Sequence, residues 1–526
     1  MKRITAIIIT AFLLLFLAGC GEKDNKPNAE KNTAQEEKIS KKPQKGGSIT
    51  IYSYKPDTLC PLLSKNNANI RMLSIVFDSL FTVDDNLSAV PCLASSWSSS
   101  EENTKYTVEL KDNVLFHDGS TLNAEDVVFS VETAKSEPEG AFYHNVSVIK
   151  SVRAIGNSTV EFTLTKPLSR FVNLLDFPVI KKQSGAVDRE SYVPIGTGGF
   201  LFENRNEGNL YHLVRNDSWW GGEIYLDSVK VRLLPDKDTA VYAFSSGEIS
   251  LCPAEGYEWG KLVDAQTASY KEYKTEYYNF IGINHKNKLL AKDEVRKALL
   301  HIIDREKILK SGAPGFSEAS NAPLRSEWIY LREKKLETAK ELNKAKELLE
   351  GGGWTLQSGV YKKREGRNNL ALRFEILINE ESYKKEQFAK SIAEELSEFG
   401  ILATVKKLPY DKYEEAVRMG RYDMFIGSMN LSKELDFEYM FTDGNVFFLK
   451  DEELLAAARN MQLSSKEEEI AIKAGEFIKL FNEKVPFIGI GFENSVLLYK
   501  SNIFGEINPV SNNIYNGIEN LYVNVK

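Results

Sequence analysis

Between residues 73 and 131 the spacing of apolar residues switches from helical to alternating and back, with a turn marked at each switch, and few folds accommodate that order. Leu73, Val76, Phe77 and Leu80 share one helical face, and a polar turn follows at Asp84, Asp85 and Asn86. After Pro91-Cys92-Leu93-Ala94-Ser95-Ser96-Trp97 come two short alternating strands. In the clearer of them Tyr106, Val108 and Leu110 take one face while Thr107, Glu109 and Lys111 take the other. Asn123 stands where a helix N-cap belongs, and Asp126, three residues on, favours the positive end of the helix carrying Val127, Val128 and Val131.

The order of these words resembles the signature region of the family 5 extracellular solute-binding proteins, the receptors that feed oligopeptides, dipeptides and nickel chelates to ABC importers. The matching words are Phe77-Asp78-Ser79-Leu80, residues 91–97, Val114-Leu115-Phe116-His117-Asp118-Gly119 and Ala124-Glu125-Asp126-Val127-Val128-Phe129-Ser130. Further likenesses are Gly196-Thr197-Gly198-Gly199-Phe200 with Trp219-Trp220 behind it, and the run 295–309. The resemblance covers residues 46 to the C-terminus and thins after Ser428. It implies an α/β fold of the type II periplasmic-binding-protein kind, with two large lobes, a smaller third domain and a cleft that closes by hinge motion. The implied division is 46–80, 196–275 and 493–526 for the first lobe, 81–195 for the small domain and 276–492 for the other lobe.

A chain of 526 residues exceeds one ordinary core, in keeping with several domains. Its net charge of −7 offers no basic field for phosphate backbones, so nucleic acid is not an expected partner. Residues 1–20 read as a secretory leader: Lys2 and Arg3, an apolar run over 4–17 too short to span a bilayer, then Leu17-Ala18-Gly19-Cys20. The cysteine after small residues resembles a bacterial lipobox, which implies lipidation of Cys20 and anchoring to the cell membrane outside the cytoplasm. Residues 21–45, nearly devoid of apolar side chains and mixed in charge sign, read as a disordered tether. Cys60, Cys92 and Cys252 are odd in number and give no complete disulfide framework; they read as small core residues.

Along the rest of the chain, residues 148–155 and 159–164 form a hairpin around Gly156-Asn157. Residues 229–233, a helix with Ala240 and Phe244, and 247–251 suggest a β-α-β unit. Residues 280–284 read as a short strand, 384–399 as a helix closed by Gly400, and 486–491 and 495–499 as two strands. Ser465 and Glu468 form a capping-box pattern ahead of a long helix. The glycines at 196, 198 and 199 are not a phosphate loop, since no Lys-Ser or Lys-Thr follows; they suit a tight crossing.

No catalytic pattern emerges. The five histidines show no HExxH spacing, no Gly-x-Ser-x-Gly elbow occurs, and the cysteines lack CxxC pairs. No cofactor, metal site or enzymatic activity is expected, and His117 reads as a structural hydrogen-bonder. In peptide receptors of the family, main-chain groups grip the ligand like an added strand. The resemblance places that grip at Tyr54, Lys55, Pro56 and Asp57, and at Gly427, Ser428, Met429, Asn430 and Leu431. It implies lobe crossings near 274–279 and 487–494. It also exposes a departure: Leu431 stands where an aspartate for the ligand ammonium is expected, Ser428 where a tryptophan is, and Asn379 near the position of a carboxylate-binding arginine. Asp436 or Glu434 is the candidate substitute. Tyr257 and Trp259, with Tyr52, Tyr54, Tyr277 and Tyr278, are candidate pocket aromatics. The expected protein is a monomeric receptor that delivers a peptide to importer permease subunits, with a peptide-sensing lipoprotein or a nickel-chelate receptor as alternatives on the same fold.

Overall fold

A computed structural model describes residues 43–203, 209–255, 260, 263, 264, 266–325, 328, 331 and 340–524. The leader, Cys20 and the tether up to residue 42 lie outside the described residues, as do Tyr257 and Trp259. Three larger sheets organise the described chain. In the first, Ser48–Ser53 runs parallel to Ser228–Leu233, and Leu210–Arg215 and Phe200–Glu203 continue it antiparallel. The second is antiparallel, in the order Ala94–Ser99, Lys105–Leu110, Thr159–Leu164, Ile149–Ile155. The third has seven strands, with Phe487–Lys500 and Ala268–Ile283 beside Met424–Asn430, Arg373–Asn379 and Leu402–Leu408.

Alternation explains how these sheets pack. Tyr106, Val108 and Leu110 are all buried, and they share one continuous core with Ile49, Ile51 and Val229 of the first sheet and Val127 and Val131 of the helix Ala124–Lys135. The segment expected as a small domain and the first sheet therefore share one interior. The seven-stranded sheet is buried on both faces: Phe280, Phe425 and Phe487 point into one cluster, and Ile281, Ile426 and Ile488 into the other. The helix Asp293–Ile302 buries Val295, Leu299 and Ile302 against the second of these.

Several local expectations are met by the atoms. Asn123 and Asp126 make a reciprocal capping box, Gly400 ends the helix Tyr383–Phe399 at φ +101°, and Cys60, Cys92 and Cys252 are free thiols. Others are corrected. The two strands expected at 486–491 and 495–499 are one 14-residue strand, Phe487–Lys500, and the expected short strand at 280–284 is the end of the 16-residue Ala268–Ile283. The apolar period fails along that strand because Lys271 and Glu272 are exposed there, although the backbone pairing continues. The β-α-β unit does not form within one sheet, since Ser228–Leu233 joins the first sheet and Leu251–Glu255 the third. Ser465 does not cap the helix Glu467–Lys484, whose N-cap is Lys466 without a side-chain bond. Its hydroxyl instead accepts a hydrogen bond from Asn103 Nδ2 of the small domain at 3.2 Å, so a tertiary contact has taken the capping group.

Candidate functional site

Two long strands, Ala268–Ile283 and Phe487–Lys500, pair along most of their length, and the pairing is interrupted near its middle. Ala268–Lys274 pairs with residues 494–500 and Tyr278–Gly282 with 487–492, with a register shift between Lys274 and Tyr278. The shift falls inside both stretches expected to cross. Elsewhere the glycine run lies tightly against the backbone of Ile75 and Val76. A Cβ on Gly196 would lie 1.9 Å from the Val76 carbonyl oxygen, and one on Gly198 2.6 Å from that of Ile75. The Gly196 N–H donates to His117 Nδ1 at 3.3 Å, which leaves Nε2–H to donate to the Gly198 carbonyl at 3.0 Å. Burial holds the His117 pKa below its ordinary value, in agreement with a neutral ring used for structure. Thr197 Oγ1 and Trp220 Nε1 each donate to Asp78 at 2.9 Å.

Above the crossing lies a cavity of about 560 Å³, within the size range of small-ligand pockets. Its walls come from the helix Asn67–Leu73, the small domain, the two crossing strands and the end of Met424–Asn430. Its charged residues are Arg71, Lys384 and Lys433 on one side of the balance and Asp176, Glu276 and Glu493 on the other. Lys384 pairs with Glu493 at 2.6 Å, and Asn279 Nδ2 donates to the same carboxylate at 2.7 Å. Lys433 pairs with Asp176 at 2.5 Å. Burial alone would lower the Lys433 pKa, but Asp176 and Glu276 outweigh it and raise the value. Asp176 also accepts from Asn145 at 2.7 Å and Asn512 at 2.8 Å. A second cavity of about 370 Å³ shares Ile70, Phe142, Asp176 and Asn512 with the first. Its lining includes Glu519, whose pKa burial and the neighbouring Asp78 push up to about 7.

One rim of the main cavity is shut by the loop after Asn430, which lies on the small domain. His144 Nε2 meets Glu434 Oε1 at 3.0 Å, Lys166 meets Asp436 at 2.5 Å, and Asn173 Nδ2 donates to the Lys433 carbonyl at 3.0 Å. Together with Lys433–Asp176 these contacts form a latch between lobe and small domain. Glu434 raises the His144 pKa through their hydrogen bond, against the effect of burial.

The expected site residues are distributed unevenly. Asn430 and Leu431 line the cavity. Ser428 stands one step behind its wall, donating to Asn279 Oδ1 at 2.8 Å. Gly427 packs under the Phe280 ring, and Met429 Sδ accepts from the Tyr439 hydroxyl. Asn379, at the end of Arg373–Asn379, donates to Glu381 at 3.2 Å. The lining does not include Tyr54, Lys55, Pro56 or Asp57. Asp57 accepts from Ser64 Oγ at 2.6 Å, from the Lys65 N–H at 2.8 Å and from Arg189 at 3.2 Å; these outweigh burial and hold its pKa down. Asp436 and Glu434, the candidate stand-ins for the missing aspartate, are bonded to Lys166 and His144 and are not among the residues lining this cavity. Of the aromatics Tyr277 lines the cavity, with the Lys384 ammonium 4.9 Å from its ring centre, while Tyr52 and Tyr278 are buried in cores. Sequence reasoning missed Arg71, Asp176, Glu276, Lys384, Lys433 and Glu493. Glu276 and Glu493 had a usable signal, as carboxylates inside the two crossing segments. Arg71 and Asp176 had none, because nothing local sets their direction.

The family model for bacterial extracellular solute-binding proteins, family 5, matches residues 88–444. The chain is 28% identical over 455 residues to the oligopeptide-binding protein AppA of Bacillus subtilis, covering 80% of each chain. The structure resembles the ABC transporter substrate-binding protein CtaP of Listeria monocytogenes, with a TM-score of 0.75 and 20% identity over 92% of this chain and all of that one. NikZ of Campylobacter jejuni, solved with Ni(L-His), gives a TM-score of 0.66 and 22% identity over 91% of this chain and all of its own.

Proposed function

Because the chain belongs to the bacterial extracellular solute-binding proteins of family 5, we propose that it captures oligopeptides outside the cytoplasm and presents them to the permease of an ABC importer. The observation that carries this reading is the cavity of about 560 Å³ at the lobe crossing, lined by charges of both signs and by sheet residues Asn430 and Leu431. Opposed charges and main-chain groups suit a peptide backbone with polar ends. The similarity to an oligopeptide-binding relative along four fifths of the chain supports the same class. No bond in the ligand is made or broken: the cavity's charges are arranged for holding, and transport needs only capture and release.

Native mass spectrometry of the gently purified protein tests the reading, with co-purifying ligand sequenced. Co-elution of peptides, and a rise in melting temperature with a peptide pool, is the expected result. A neighbour solved with Ni(L-His) makes nickel–histidine the control; stabilisation by that chelate and by no peptide would overturn the proposal. We propose also that Cys20 carries the lipid anchor, a reading supported by Lys2, Arg3, the apolar run and the small residues before the cysteine. Cys20→Ser should then move the protein from the membrane fraction into the medium or periplasm.

A further inference from the structure

The second cavity, of about 370 Å³, carries negative charge that the chain does not fully answer. Among the described residues Asp78, Asp176, Glu223 and Glu519 line it, and no lysine, arginine or histidine does. Asp176 is held by Lys433, and Glu223 meets Lys45 at 3.2 Å. Asp78 accepts from Thr197 Oγ1 and Trp220 Nε1, and the charge of Lys111 acts on it. Glu519 remains. Among the described residues no cation lies at ion-pair distance from it and no other side chain hydrogen-bonds to it; its own backbone N–H bears on the carboxyl.

The apolar walls are of a kind that receives a cation. Trp219 and Trp220 stand with ring centres 5.9 Å apart and planes inclined at 56°, so the two indoles make a corner. Phe77 and Phe142 add further ring surface. An indole face attracts positive charge through its quadrupole, and the chain already uses Trp220 in this way, with the Lys111 ammonium 4.4 Å from its ring centre. Room for the Glu519 side chain comes from Gly199, where a Cβ would lie 2.8 Å from Glu519 Cγ. Asp176 lines both cavities, and its bonds to Lys433, Asn145 and Asn512 fix it in their common wall. A ligand of the second cavity therefore need not enter the first.

We infer that this cavity is a second binding site, taking a small organic cation with a compact apolar body, an alkylammonium or quaternary ammonium, between the indole corner and the Glu519 carboxylate. The inference goes beyond the peptide reading and stands whatever the first cavity holds. An enclosed carboxylate without a cation is costly, and an ammonium relieves that cost while its carbon groups cover the rings. Among the described residues no three acidic, histidine or cysteine side chains are grouped to hold a metal ion, so the charge wanted is that of an organic cation. Burial and Asp78 push the Glu519 pKa up to about 7. The other groups at this corner are Cys92, whose thiol burial keeps protonated, and Lys111, which draws the values of Asp78 and Cys92 down. A cation binds the ionised form of Glu519, so binding strengthens as pH rises through that value and releases a proton below it.

The test uses the intact chain with choline and its uncharged carbon isostere, dimethylbutanol. Thermal shift and titration calorimetry are expected to show choline raising the melting temperature and binding about tenfold or more tightly than the alcohol. The affinity for choline should rise about tenfold between pH 6 and pH 8, as Glu519 ionises. Glu519→Gln should lose both that pH dependence and the preference for the charged ligand. Trp219→Leu should weaken choline binding and keep the pH trend. A crystal soaked with bromoethyl-trimethylammonium should show anomalous bromine signal between Trp219 and Glu519. Absence of choline binding, equal binding of choline and the alcohol, or bromine lodged elsewhere would overturn the inference. A folded Glu519→Gln variant that binds choline as the wild type does would overturn it as well. The isostere pair and the soak are read on the wild type, so they decide the matter even if a variant does not fold.

Discussion

At Gly196 a side chain is excluded by backbone, not by a neighbour that could turn away. A methyl there would sit 1.9 Å from the Val76 carbonyl oxygen, so the two segments must separate. Gly196→Ala is expected to cost about 1–3 kcal/mol, read as a lower urea midpoint at unchanged slope. Charged side chains behave differently at this scale. Removing Lys433 would leave Asp176, whose side chain is 2% exposed, without its cation. Lys433→Ala should therefore destabilise the folded protein by about 3–5 kcal/mol, visible in the same titration. The glycine requirement was legible in the run of glycines, whereas the Lys433 partnership was not, because Asp176 lies more than two hundred residues away in the chain.

Elements show the same division between local and distant causes. The Asn123 capping box is complete within four residues, so the sequence pattern and the structure agree. Asn123→Ala should lower stability by about 1 kcal/mol. Ser465 carries a similar pattern, but its hydroxyl serves Asn103 and the helix starts at Glu467 without it. Ser465→Ala is expected to leave the helix content of Glu467–Lys484 unchanged and to weaken the contact with the small domain. Hydrogen exchange that rises at residues 100–105 and not at the helix start would check this; the opposite pattern would restore the capping role. The long strands are a third case. Their pairing persists where alternation stops, because a backbone ladder needs no apolar partner on its solvent side.

For the molecule as a whole, the latch sets the pH behaviour of closure. His144 faces Glu434, with Asp436 adding to the attraction and Lys433 opposing it, and the net effect raises the His144 pKa above 6.5. A pKa raised in the closed form means that the contribution is full below pH 6.5 and is lost as pH rises through the higher value. Ligand-free protein should open progressively as the pH is raised above 6.5, seen as a growing radius of gyration in solution scattering. His144→Ala should abolish that trend. The pairs His144–Glu434 and Lys166–Asp436, each with one exposed partner, should also weaken in high salt more than the enclosed Lys433–Asp176 pair.

By itself the sequence determined the family words, the strand and helix periods, the caps at Asn123 and Gly400 and the glycine crossing, because each depends on neighbours within a few residues. Tertiary structure alone decided which charges meet. Arg71, Asp176, Glu276 and Lys433 come together only when segments far apart in the chain converge on one cavity, and burial there turns ordinary surface residue types into groups that must find a partner.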